Sequence, residues 1–180
     1  MKVLITGRPG IGKTTAIKKV ADLLRTRGVK VGGMITLEVR ERGRRVGFKI
    51  VDLATGREGV LAWVGSSGGP RVGKYVVNLR DLEDVGVRAI LDAIEFAEVV
   101  FCDEIGPMEL HSDKFKEAIE RALASDKQFV GTIHIRADRD PFCRYLKERY
   151  RLKIIELTLA NRDRIPLEIS SEILRVLGRT

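Results

Sequence analysis

The sequence lacks most of what would place it in a membrane or an oxidising compartment. It has only two cysteines, Cys102 and Cys143, far apart and without metal-type spacing. No disulfide framework is expected, and both read as free thiols. No run of roughly 18 apolar residues occurs, so no transmembrane helix is expected. Met1-Lys2 leads through a few apolar or small residues into a glycine-rich loop with no cleavage-type segment, so no secretory leader is expected and the chain reads as cytoplasmic. His111 and His134 are not spaced as ligands with Cys or Asp, which argues against zinc. Low-complexity tracts, internal repeats and long single-sign charge runs are also missing.

Charge is plentiful and mixed. The 180 residues include 33 basic and 25 acidic side chains, for a net charge of +8. Because the signs are interspersed, this reads as a charged surface, of the kind suited to high temperature, rather than a nucleic-acid footprint. Nucleic acid is a candidate partner but not the favoured one, because no recognised binding motif appears. A hydrophobic fraction of 44% and a length of 180 residues fit one domain over 1–180; a monomer is the working expectation, which composition and length do not decide.

The hydrophobic pattern alternates between strand and helix at both ends of the chain. Lys2–Thr6 is a short, nearly continuous apolar run, as in a strand buried on both faces. Ile17, Val20, Ala21 and Leu24 recur at helical spacing from Thr14 to about Arg27, and Gly28 supplies a stop. A strand is expected over Val29–Thr36, then a hairpin over 37–53 turning near Gly43, with short strands at Gly59–Val64 and Lys74–Leu79. Closely spaced strands without intervening helices imply an antiparallel insert over about 37–79. After it, helices are expected over Asp81–Ala97, from Ser112 to near Leu123, over about Pro141–Tyr150, and up to about Val176. Strands are expected at Val99–Asp103, Phe129–His134 and Lys153–Thr158. This is an α/β fold: a P-loop NTPase with a mostly parallel sheet, helices on both faces and an antiparallel β insert.

Gly7-Arg8-Pro9-Gly10-Ile11-Gly12-Lys13-Thr14 satisfies G-x-x-x-x-G-K-[ST], with a strand before it and a helix, starting at Thr14 and Thr15, after it. Glycines allow successive N–H groups to face one anion, and the helix adds its positive end. Lys13 is expected on the β- and γ-phosphates and the Thr14 hydroxyl on Mg2+. A later apolar strand, Val99-Val-Phe-Cys-Asp103-Glu104, ends in two carboxylates at the carboxyl end of the sheet, where α/β ligands bind. Asp103 is placed to hold Mg2+, and Glu104 to orient or deprotonate the attacking water.

Several segments together resemble the cancer-related nucleoside-triphosphatase family of THEP-type P-loop NTPases. They are Gly7 to Thr15, the Arg-Arg-x-Gly-Phe of 44–48, the Arg-Val-Gly-x-Tyr of 71–75, Asp103-Glu-Ile-Gly-Pro-Met-Glu-Leu110 and Asn161-Arg-Asp163. The resemblance implies slow, Mg2+-dependent hydrolysis of ATP, GTP, CTP and UTP with loose base choice. Pro107 departs from it, since many members carry Lys there.

Other residues leave alternatives open. Thr132 and His134, at the end of the neighbouring strand, could sense the γ-phosphate. Asn161 could contact nucleotide or cap the last helix. Arg162 could lie over the base or act as a catalytic finger on the transferring phosphoryl group. Arg44, Arg45, Arg71 and Lys74 could face phosphates, bind a polyanion or protect an edge strand. Trp63 reads as packing. Two other functions are compatible with the motifs: a small nucleotide or metabolite kinase, and an NTP-switched nucleic-acid-binding protein.

Overall fold

The computed structural model describes residues 1–179. Lys2–Thr6 forms strand β1, and Val3, Leu4 and Ile5 are fully buried, as the apolar run requires. Helix α1, Lys13–Arg25, buries Ala16, Ile17, Val20, Ala21 and Leu24 on one face. It ends where Gly28 takes a φ of 71° and its N–H donates to Arg25 O at 3.0 Å.

The insert begins inside a core strand. Strand β2, Val31–Glu41, continues unbroken through the point where a parallel strand was expected to stop and a hairpin to begin. The chain turns at Arg42-Gly43, whose φ values of 51° and 75° suit a two-residue hairpin, and returns as β3, Arg44–Asp52. Strands β4 (Glu58–Val64), β5 (Arg71–Val72) and β6 (Tyr75–Val77) complete the antiparallel part. Trp63 packs over the bare backbone of Gly47 on the neighbouring strand, where a Cβ would lie 2.3 Å from the indole.

A helical stretch follows in three parts: α2 (Leu79–Asp81), a π-helical segment (Leu82–Val87) and α3 (Arg88–Phe96). It starts before the expected Asp81, because the Asn78 side chain accepts from Asp81 N at 3.0 Å and sets the N-terminus. Strand β7 (Val99–Ile105) leads to α4 (Asp113–Ala124), capped as expected by Ser112, whose Oγ accepts from Phe115 N at 3.1 Å. Strand β8 (Gln128–Ile133), α5 (Pro141–Arg149), β9 (Lys153–Glu156) and α6 (Ile165–Val176) close the chain.

All nine strands join one sheet in the order β5-β6-β4-β3-β2-β7-β8-β1-β9. From β2 to β9 the pairings are parallel; from β2 outward to β5 they are antiparallel. The start of β2 pairs with β7 and the rest with β3, so its backbone is hydrogen-bonded along its length and has no reason to break. Apolar side chains alternate to two cores. One, with Val3, Ile5, Phe101 and Val130, lies under α1 and α6; the other, with Leu4, Val100, Cys102 and Phe129, lies under α3, α4 and α5.

Gly33 sets how closely β2 can approach β7. Its φ is 115°, and a Cβ there would sit 2.0 Å from Phe101 O, a backbone atom of the neighbouring strand. Gly33→Ala combines an unfavourable φ with a backbone overlap, so it should destabilise the fold by about 3 kcal/mol or more. Chemical denaturation measures this directly; an unchanged midpoint and slope would contradict the packing described.

Candidate active site

The loop between β1 and α1 is shaped by glycines at positive φ: Gly7 at 151°, Gly10 at 80° and Gly12 at 108°. Gly7 is constrained doubly, since a Cβ would meet Leu157 O at 2.9 Å and Ile11 Cγ2 at 3.0 Å. Gly12 is the N-cap of α1 and carries no capping side chain, and the first turn holds no acidic residue. The helix therefore presents uncapped N–H groups and its positive end, an arrangement suited to an anion. The Lys13 ammonium folds back over its own loop and donates to Gly7 O at 3.0 Å.

Asp103, near the end of β7, is 1% exposed and collects donors from three other elements. Thr14 Oγ1 of α1 donates to Oδ2 at 2.7 Å, and Thr36 of β2 donates to the same oxygen from Oγ1 at 3.1 Å and from N at 3.3 Å. Thr132 of β8 donates to Oδ1 at 2.7 Å. A hard, all-oxygen donor set with a carboxylate beside a threonine hydroxyl fits Mg2+, with Thr14 and Asp103 as the groups able to hold it. Of the two readings open for Thr132, its surroundings favour the structural one over a γ-phosphate sensor: the residue is fully buried and its hydroxyl donates to Asp103.

The loop opens onto a cleft of about 570 Å³. Gly7, Gly10, Gly12, Lys13, Thr14 and Thr15 form its phosphate-loop side, and Glu104, Pro107 and Met108 continue it along the strand end. Burial, reinforced by Asp103 and opposed by Lys13, pushes the Glu104 carboxyl above its ordinary value. His134 also lines the cleft; burial first, then the charges of Lys13 and Arg136, hold its imidazole below the ordinary value and favour the neutral ring.

Several cleft residues were not singled out as site residues from the sequence, Thr36, Glu38 and Glu109 among them; Arg45, one of the four insert cations that could face phosphates, also lines the cleft. Glu109 is 4% exposed, and its Oε2 has no hydrogen-bond partner among the described residues. Burial first, then Glu104, pushes its carboxyl well above the ordinary range and favours the uncharged acid. Its place in the Asp103–Leu110 segment, between Met108 and Leu110, was the available signal: an acid flanked by apolar residues beyond a strand end.

The loop after β9 is arranged differently from expectation. Asn161 does not cap the last helix; α6 starts at Ile165 behind Arg164, with no capping side chain. Instead the Asn161 amide closes its own loop, accepting from Thr158 N at 2.7 Å and donating to Glu156 O at 2.9 Å. Short Asx-type bonds compete with a cap when the chain turns before the helix begins. Arg162 reaches the phosphate loop, where Nη1 donates to Ile11 O at 3.3 Å, but it is exposed and outside the cleft lining.

Comparison with known proteins agrees with this construction along nearly the whole chain. A family model described as NTPase matches residues 2–170. The nucleoside-triphosphatase THEP1 of Thermofilum pendens is 56% identical over 176 residues, covering 98% of this chain and 97% of the relative. The crystal structure of THEP1 from the hyperthermophile Aquifex aeolicus superposes with a TM-score of 0.83 at 32% identity, covering 96% of this chain and 99% of the other. The solution structure of a human cancer-related nucleoside triphosphatase gives a TM-score of 0.81 at 34% identity, with 97% of each chain covered. With a glycine-shaped phosphate loop tied to an acidic strand end and relatives matched end to end, the chain belongs to the NTPase family that contains the THEP1 nucleoside-triphosphatases.

Proposed function

We propose that this chain, working as one P-loop domain and as a cytoplasmic monomer, hydrolyses nucleoside triphosphates to diphosphate and phosphate, with Mg2+ and with loose base choice. The observation that carries the reading is the 2.7 Å bond from Thr14 to Asp103, which joins the phosphate loop to the acidic strand in the cleft that Glu104 lines. Among the described residues no helix is long and apolar enough to cross a membrane.

The roles follow from the chemistry of each group. The N–H groups of Gly7 to Thr15 receive phosphate oxygens, and Lys13 leaves its carbonyl contacts to meet the β- and γ-phosphates. Mg2+, held by Thr14 and Asp103, would neutralise charge on the triphosphate. Glu104 orients water and takes its proton; its raised proton affinity brings it closer to the range useful to a base near neutral pH. Arg162 supports the loop from outside and serves as a contact on the nucleotide's flank, with Asn161 holding that loop in shape. The loose base choice rests on contacts to the phosphates and Mg2+, which all four nucleotides share.

Lys13→Ala should abolish turnover and weaken triphosphate binding far more than nucleoside binding, as read by phosphate release and calorimetry; wild-type hydrolysis by this variant would sink the proposal. Glu104→Gln should keep nucleotide bound while slowing hydrolysis by roughly 10²-fold or more, whereas Asp103→Asn should raise the Mg2+ concentration needed for half-maximal rate. Across ATP, GTP, CTP and UTP, kcat/KM should stay within about 10²-fold, because larger discrimination requires base-edge hydrogen bonds. A steeper preference in a turnover screen would show that such contacts exist.

A further inference from the structure

The cleft is lined by one ammonium, Lys13, and one guanidinium, Arg45. Arg45 does not come from the phosphate-loop side. It stands on β3 in the hairpin that β2 and β3 carry beyond the edge of the parallel sheet, paired with Arg40. Its side chain is held from several directions. Nε donates to the Tyr75 hydroxyl at 2.8 Å, and Nη1 donates to Glu38 Oε1 at 2.9 Å. The guanidinium carbon lies 5.2 Å from the centre of the Phe48 ring and 5.7 Å from that of Tyr75, and these rings pack edge to face at 5.3 Å. Nη2 has no protein partner among the described residues.

A free arginine side chain has about 2 kcal/mol of rotamer entropy to lose on being fixed. Here that loss is already met within the insert by two hydrogen bonds and two aromatic faces, which leaves one N–H edge unspent. The other titratable side chains in the lining are Glu38, Glu104, Glu109, His134 and Lys13. A highly anionic triphosphate entering this cleft therefore finds few cations, and Arg45 is the one whose orientation is set before it arrives.

We propose that Arg45 contacts the terminal phosphoryl group of the bound triphosphate and stabilises the charge that develops on it during hydrolysis, a part that Arg162 does not take from outside the cleft. The inference rests on the reading of the cleft as a triphosphate site. In the step itself, the water oxygen forms a bond to the γ-phosphorus as the bond from that phosphorus to the β,γ-bridging oxygen breaks. The water proton passes to Glu104, and the electron pair leaves with the nucleoside diphosphate. Arg45 gives and takes no proton; it supplies positive charge at fixed geometry. The insert is thereby a catalytic wall, and its Glu38, Phe48 and Tyr75 are positioning residues for Arg45.

The test is steady-state ATP hydrolysis by the full chain with Arg45→Ala, Arg45→Lys, Tyr75→Phe and Arg162→Ala, with melting temperatures measured for each. Arg45→Ala should lower kcat by roughly 10²- to 10³-fold with KM within about threefold, since the contact strengthens mainly as charge develops in the transition state. Arg45→Lys should recover little of this, because an ammonium cannot keep the same fork. Millimolar ethylguanidinium should raise the rate of Arg45→Ala, an effect a purely structural clamp would not give. Tyr75→Phe removes one anchor with little change of shape and should lower kcat several-fold, which keeps the proposal testable if Arg45→Ala unfolds. Arg162→Ala should raise KM and hold kcat. The proposal is overturned if Arg45→Ala keeps kcat within about threefold, if its loss tracks melting temperature without rescue, or if the kcat loss falls on Arg162→Ala instead. Normal hydrolysis by Lys13→Ala would mark failure of the triphosphate site itself, whatever Arg45 does.

Discussion

The structure depends on one buried carboxylate. An isolated carboxyl group removed from water costs several kcal/mol, and it is tolerated only where donors replace the lost solvent. At Asp103 the replacement comes from Thr14, Thr36 and Thr132, which lie on α1, β2 and β8. Each hydroxyl fixes a different part of the molecule to the end of β7. Thr14 ties in the phosphate loop, Thr36 ties in the strand from which the insert springs, and Thr132 ties in the strand standing between β1 and β7. The geometry of the phosphate loop relative to the acidic strand is therefore a consequence of satisfying Asp103.

That arrangement also sorts the carboxyls around it by environment. Asp103 is surrounded by donors. Glu104 and Glu109 share the same cleft, and burial pushes both upward, Glu109 more strongly and with one oxygen unpartnered. Neighbouring acids with unequal surroundings can take unequal roles, one as a proton acceptor and another as a neutral donor. The opposite wall is more apolar, built from Phe48, Leu61 and Val72 of the insert, and it carries the anchored Arg45. A water-poor wall strengthens any charge interaction made beside it.

The insert shows how a sheet can change character without a domain boundary. β2 is parallel to β7 at its start and antiparallel to β3 for the rest, so the hairpin is a rigid continuation of the core. Gly33 permits the close approach of β2 to β7. A loop could not hold Arg45 over a cleft with comparable definition, because it would lack the ladder of backbone hydrogen bonds that fixes the strand.

Much of this was legible in the sequence where the signal is local. The spacing of Gly7, Gly12, Lys13 and Thr14, the apolar run ending in Asp103-Glu104, the Ser112 cap and the Gly43 turn each depend on residues a few positions apart. Torsion preferences and periodicity act over that range. By itself, then, the sequence determined the kind of fold, the phosphate loop and the acidic strand end. Tertiary structure decided which distant residues complete the site: Thr36 and Thr132 on Asp103, Glu109 inside the cleft, Arg45 within it and Arg162 outside. The strand order that puts β8 between β1 and β7, and the reach of the hairpin over the cleft, come from the summed packing of two cores and one continuous ladder. No short window of residues contains that sum, so the partners of Asp103 and the place of each arginine could be known only once the sheet was assembled.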